Sequence, residues 1–259
     1  MLRAKIFGRV GCLVAILANL AMTAPAVRAA DTIGIVATAE NKVTGTLASD
    51  RRLLKISSDV FRDEEIETFA KASAQLLFLD ETSLTLGPNS QVVLDEMIYE
   101  PQGGAGSMAL KVVKGAARFV SGIQKSEAYV IRTPTSNIGI RGTALGIIVG
   151  AAGQTIVILL EGLAIVQDLL GRVQTLNIPG TFTIVGGSNK PPSPPAPAPP
   201  SIFNQLGNSQ SIGNIIDILL QLPPNNLPVD LQDFVNQEPA GGGGGGGGGN
   251  NQNYDPDDW

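Results

Sequence analysis

Between Asp31 and Val185 one pattern recurs: short aliphatic runs cut by turn-forming residues. Expected strands include Ile33–Thr38, Ala74–Leu79, Ser83–Leu86, Gln91–Met97, Met108–Val113 and Ala128–Thr133. Further ones are Ala144–Val149, Thr155–Leu160, Leu163–Gln167, Arg172–Leu176 and Thr181–Val185. Asp80-Glu81, Gly87-Pro88-Asn89, Gly153-Gln154, Glu161-Gly162, Leu170-Gly171 and Pro179-Gly180 separate them. Turn signals about 8–12 residues apart are the signature of an all-β fold. The expected architecture is an antiparallel sandwich or a short irregular β-solenoid. Asp63–Ala72 reads equally as a helix or as a strand pair with an acidic turn. The stretches 77–86 and 157–166 resemble each other as strand, acidic turn, strand, but two such units are too few to establish a repeat protein.

The two ends differ from this body. Arg3, Lys5 and Arg9 precede an apolar run from Val10 to Met22, and Val27 and Ala29 put small residues before a cut. Residues 1–29 therefore read as a secretory signal peptide. The β-body is expected over 30–190 and a Pro-rich linker over 191–200. A tail with a short helix follows over 201–240, and a Gly-rich, acidic, disordered end over 241–259. Ile212, Ile215, Ile216, Leu219 and Leu220 form the i, i+3, i+4, i+7, i+8 stripe of an amphipathic helix that Ser211 caps and Pro223 stops. That helix is a candidate for docking, on a partner or on its own body. Residues 191–259 hold seven acids and neither Lys nor Arg.

Several chemistries are excluded. His is absent, so imidazole bases and ligands are absent too. The one Cys, Cys12, lies in the leader and forms no internal disulfide or structural zinc site. After cleavage the chain carries 14 bases and 23 acids, net −9, which argues against nucleic acid as a partner. No later stretch is long and apolar enough to span a bilayer. Asp95 and Glu96 are neighbours on a strand and point to opposite faces, so they are not a working carboxylate pair. No catalytic residue, cofactor or metal site is expected.

The segment Thr133-Pro134-Thr135-Ser136-Asn137-Ile138-Gly139-Ile140-Arg141-Gly142-Thr143 resembles the FecR-type periplasmic domain family. The turns at Asp80-Glu81, Lys114-Gly115-Ala116 and Glu161-Gly162 and the run Leu84-x-Leu86-Gly87 support it, and the resemblance spans Val43 to Val185. Thr133, Pro134, Ile140, Arg141, Gly142 and Thr143 are the family residues. Pro134 ends a strand by withholding a donor, and Gly142 lets the chain turn. Arg141, between Ile140 and an apolar strand, is expected to be partly buried, with Asp80 or Asp95 as its carboxylate partner. A fold-holding role for Arg141 leads, with an anionic-ligand anchor as the alternative.

The family resemblance implies a membrane-spanning regulator that relays a transporter's signal to a sigma factor. With a cleavable leader and no following span, the expectation for this chain is different. It is a non-enzymatic envelope or extracellular binding or scaffold module, periplasmic or secreted, whose partner is an unknown envelope protein or glycan. The alternative is a diverged periplasmic sensor or regulator in transporter-linked sigma-factor signalling. The leader reading predicts that mass analysis of the exported protein finds Ala30 at its N-terminus; an uncut chain contradicts it.

Overall fold

Alternation along the strands dictates two faces, one apolar and one wet. The computed structural model describes residues 31–98, 106–125, 129–186, 190–200 and 202. Every regular element among them is a strand: β1 (Thr32–Glu40), β2 (Val43–Leu47), β3 (Asp50–Leu53), β4 (Asp59–Phe61), β5 (Glu65–Thr68), β6 (Ser73–Phe78), β7 (Ser83–Leu86) and β8 (Gln91–Ile98). Then come β9 (Ser107–Val120), β10 (Tyr129–Arg132), β11 (Ser136–Val149), β12 (Thr155–Asp168), β13 (Val173–Leu176), β14 (Thr181–Val185) and β15 (Ala196–Pro197). The all-β expectation holds. Over 63–72 the strand with its acidic turn prevails over the helix: Arg62 and Asp63 turn between β4 and β5. The helix residues Ile212, Ile215, Ile216, Leu219 and Leu220 lie outside the described residues, as do the leader and the Gly-rich end.

The strands form one open sheet folded into two layers. The first layer runs β4-β1-β6-β7-β9-β11-β12-β14-β15 and uses the second halves of β9 and β11 and the first half of β12. The second runs β3-β2-β5-β8-β9-β10-β11-β12-β13 and uses the other halves of the same three strands. All pairings are antiparallel except β9–β10. The inner faces meet in a single aliphatic core that contains Leu76, Leu84 and Leu145 of the first layer and Ile66, Leu110 and Ile138 of the second. Phe119 of the first layer meets Tyr129 of the second edge to face, with ring centroids 5.8 Å apart.

Three strands therefore cross between layers, and each bends at a glycine in the left-handed region: Gly115 in β9 (φ +90°), Gly142 in β11 (φ +54°) and Gly162 in β12 (φ +83°). In the β11–β12 register Arg141 faces Leu163 and Ala144 faces Glu161, so Gly142 and Thr143 stand opposite Gly162 alone. That two-against-one count is a β-bulge, the device that turns a strand from one sheet into another. Thr143 pins it. Its hydroxyl accepts from the Arg141 N–H at 2.9 Å and donates to the Leu163 carbonyl at 2.8 Å. The Thr155–Leu160 and Leu163–Gln167 runs are thus one bent strand, and 161–162 is a corner within it rather than a hairpin turn.

Two polar knots tie the layers where they would part. Arg52, on β3, donates to both oxygens of buried Glu64 at 2.8 and 3.0 Å and to the Asp59 carbonyl of β4. Burial pushes the Glu64 pKa up, against the opposing pull of the Phe61 N–H and Arg52. Gly45 leaves the room this carboxylate needs. At the β6–β7 turn, buried Asp80 accepts from the Thr82 N–H and hydroxyl, the Gln124 amide and the Tyr129 hydroxyl.

The Pro-rich run departs from the expected spacer. It lies antiparallel along β14: Thr181 and Phe182 face Pro197 and Ala196, and Ser193 bonds Ile184 through both backbone and hydroxyl. Proline forms no ladder on its nitrogen side, but an extended chain still offers carbonyls to an edge. Ala198, Pro199 and Ile202 close over Ile148, Ile156, Ile158 and Phe182 on the outer face of the first layer.

The corner geometry orders three substitutions. A Cβ at Gly162 overlaps the Gly142 carbonyl, whereas at Gly142 it meets nothing and at Gly139 neither contact nor positive φ opposes it. Denaturant unfolding is expected to show Gly162→Ala losing about 3 kcal/mol and Gly142→Ala about 1 kcal/mol. Gly139→Ala is expected to stay within about 0.5 kcal/mol. Equal losses at all three positions contradict the corner.

Candidate functional site

The residues singled out in the sequence fall at two places along β11. Thr133 and Pro134 open the β10–β11 turn. The Thr133 hydroxyl is buried with Ser136 and Thr155, and the Thr135 hydroxyl reaches the carbonyls of Gly153 and Val185. This hydroxyl network ties the turn to the start of β12 and the end of β14. Ile140 is in the core, and Gly142 and Thr143 make the corner.

Arg141 is exposed, contrary to the expectation of partial burial. The αL bulge shifts the alternation, so Ile140 and Thr143 point in while Arg141 and Gly142 point out. Neither expected partner meets it. Asp95 pairs with Arg132 at 2.5 Å, and Asp80 is held by Thr82, Gln124 and Tyr129. None of the ion pairs among the described residues involves Arg141. Among the described residues no three acids gather as metal ligands.

A surface that sequence reasoning passed over stands out more. The β12–β13 hairpin and the loop after it expose Ile165 (45%), Leu169 (67%), Leu170 (64%), Val173 (54%) and Ile178 (63%). Ile165 faces Thr175, and Gln167 faces Val173, so Ile165 and Val173 are diagonal neighbours on the outer side of the second layer. Beyond Ile165 on that side lies Gly139, which has open space where a side chain would be. β13 pairs only with β12, which leaves its other edge without a strand among the described residues. An aliphatic ridge beside a free edge is the surface that protein partners use. Its only signal in the sequence is the Leu169-Leu170 pair beside a turn glycine, where a polar tip is the norm.

The ridge is rigid at its base. The Asp168 carboxylate, 5% exposed, accepts from the Leu170 N–H (3.0 Å), the Arg172 N–H (2.8 Å) and the Arg172 Nε (2.6 Å). Gly171 completes the turn at φ +84°. Burial pushes the Asp168 pKa up, but the Arg172 guanidinium and the backbone donors outweigh it and hold the carboxyl below the usual range. At the other side of the core, burial foremost raises the Tyr129 phenol, whose hydroxyl donates to Asp80 at 2.9 Å.

Residues 64–164 match the family model described as FecR protein. Over that stretch the body is similar to a FecR domain. The match runs from buried Glu64 to Ala164 and takes in all three corner glycines. Two crystal structures of a candidate anti-sigma factor from Parabacteroides distasonis ATCC 8503, at 1.65 and 2.50 Å resolution, are similar to this chain. Each is 17% identical, with a TM-score of 0.43 over 54% of this chain and 64% of that one. The chain thus spans less than two thirds of the length of those proteins. No curated protein sequence matches it significantly. The FecR match overturns the expectation of a generic envelope binding or scaffold module and favours the alternative, a regulator in sigma-factor signalling.

The Asp168 arrangement has a pH signature. A lowered carboxyl pKa contributes stability above the unfolded value of about 3.9, and that stability is lost as pH falls through the lower folded value. Asp168→Asn is expected to flatten the acid limb of the stability profile below about pH 4 and to speed amide exchange at Leu170 and Arg172. An unchanged acid limb contradicts the assignment.

Proposed function

We propose that this chain is an exported regulator in transporter-linked sigma-factor signalling, in which the FecR domain binds a protein of the relay through the β12–β13 ridge. The observation that carries this reading is the FecR match over residues 64–164, the structural heart of the two layers. The role is regulatory rather than catalytic, in keeping with that family and with a surface built for contact.

Energetics make the ridge an adequate anchor. Fully burying one Leu or Val side chain is worth about 1.5–3 kcal/mol. Association costs roughly 4–15 kcal/mol in lost freedom and ordering. Three or four aliphatic residues on a hairpin already ordered by Asp168 reach the low end of that cost, and strand pairing along β13 adds to it. Export places this surface where a transporter's periplasmic part, or the periplasmic part of a membrane-bound relay protein, meets it. Within the described residues no helix is long and apolar enough to cross a membrane.

The test is transcription of sigma-factor-dependent genes in the source organism. Deleting the gene is expected to change the output of one alternative sigma factor several-fold. The variant Leu169→Ser, Leu170→Ser, Val173→Ser is expected to reproduce the deletion while accumulating as folded, exported protein. If the deletion leaves every sigma-dependent transcript unchanged, the reading fails. If only the ridge variant behaves as wild type, the assignment of the surface fails.

A further inference from the structure

The outer face of the first layer is uneven in a way the body alone does not explain. One lateral row of the sheet runs Phe182, Ile158, Gly146, Arg118, Thr85, Gln75 across β14, β12, β11, β9, β7 and β6. At its β14 end Ile202, 1% exposed, sits on Phe182 and Ile158 and seals that part of the face. In the middle, buried Thr85 Oγ1 and Arg118 Nε have no hydrogen-bond partner among the described residues. Thr85 is only 5% exposed. A hydroxyl and a guanidinium N–H out of water yet unpaired mark the stretch of this face where a polar partner is missing. At the far end, Ile35 (40%), Leu77 (41%) and Leu79 (55%) leave the same face apolar and open.

We propose that this face is the seat of the chain's own segment Ser211–Leu220. Ile202 delivers the chain onto the face. From β12 to β6 the face spans four strand steps, about 19 Å, and the nine residues 203–211 reach up to about 30 Å when extended. The segment then offers Ile212, Ile215, Ile216, Leu219 and Leu220 on one side, a stripe that matches Leu77 and Ile35. A nine-residue helix from Ile212 to Leu220 is about 14 Å long, marginal alone in water and stable against an apolar face. Residues 203–259 hold seven acids and neither Lys nor Arg, which complements Arg118. The Pro-rich strap and the helix then form one clasp across the layer, independent of the relay partner's identity.

Disulfide trapping in the full chain with Cys12→Ser tests it. Leu77→Cys with Ile216→Cys is expected to close within one molecule about tenfold faster than Leu170→Cys with Ile216→Cys, because docking raises local concentration beyond that of a free tether. Equal rates overturn the proposal, and so does a disulfide formed only between two molecules, which places a second copy on the face. A second measurement leaves the body untouched. In the chain carrying only Leu77→Cys, adding Ile216→Asp and Leu219→Asp is expected to raise thiol labelling several-fold; unchanged labelling overturns the clasp.

Discussion

Three backbone corners hold this architecture together. β9, β11 and β12 each belong to both layers, and each changes layers where its backbone enters the left-handed region. Gly115, Gly142 and Gly162 supply that conformation where a side chain would be strained. At the Gly142–Gly162 crossing the two backbones approach so closely that Gly162 has no room for a Cβ. Thr143 replaces the ladder bonds lost at the bulge. The aliphatic core, the ring contact between Phe119 and Tyr129, and the bond from Tyr129 to Asp80 all depend on the layers facing each other as these corners make them.

The proposed function rests on what the corners leave outside. Bending β12 sends its second half into the second layer, where it pairs with β13 and carries Ile165, Leu169 and Leu170 out to solvent. The family residues are therefore framework: Thr133 and Pro134 tie one end of β11, and Ile140, Gly142 and Thr143 bend its middle. Arg141 stands exposed beside that bend. The FecR match locates this framework, and the exposed ridge is the surface we propose that it offers to a partner.

Much of the fold was legible in the sequence, and the failures share a cause. Ser83–Leu86 and Thr181–Val185 coincide with β7 and β14 because alternation and flanking turns agree there. Glu161-Gly162 misled because a glycine that permits a hairpin turn equally permits a bulge inside one strand. Asp50–Leu53 was missed because two arginines interrupt any apolar alternation, one of them turned inward to Glu64. Arg141 looked half-buried from its apolar neighbours, but the bulge shifts the phase of the strand by one. The Pro-rich run looked like a spacer because proline withholds donors, yet Ser193 and Ala198 provide enough of them for an edge. Exposure of the ridge left almost no mark in the sequence, since an aliphatic pair at a turn reads the same whether covered or bare.

The sharing of strands between layers is open to direct measurement by nuclear Overhauser contacts between backbone protons in the labelled protein. The account predicts that one strand, β9, contacts Val130 from Ala109 and Gly146 from Arg118, with the rings of Phe119 and Tyr129 in contact across the layers. A β9 that keeps the same neighbour along its whole length, with no contact between those rings, would contradict it.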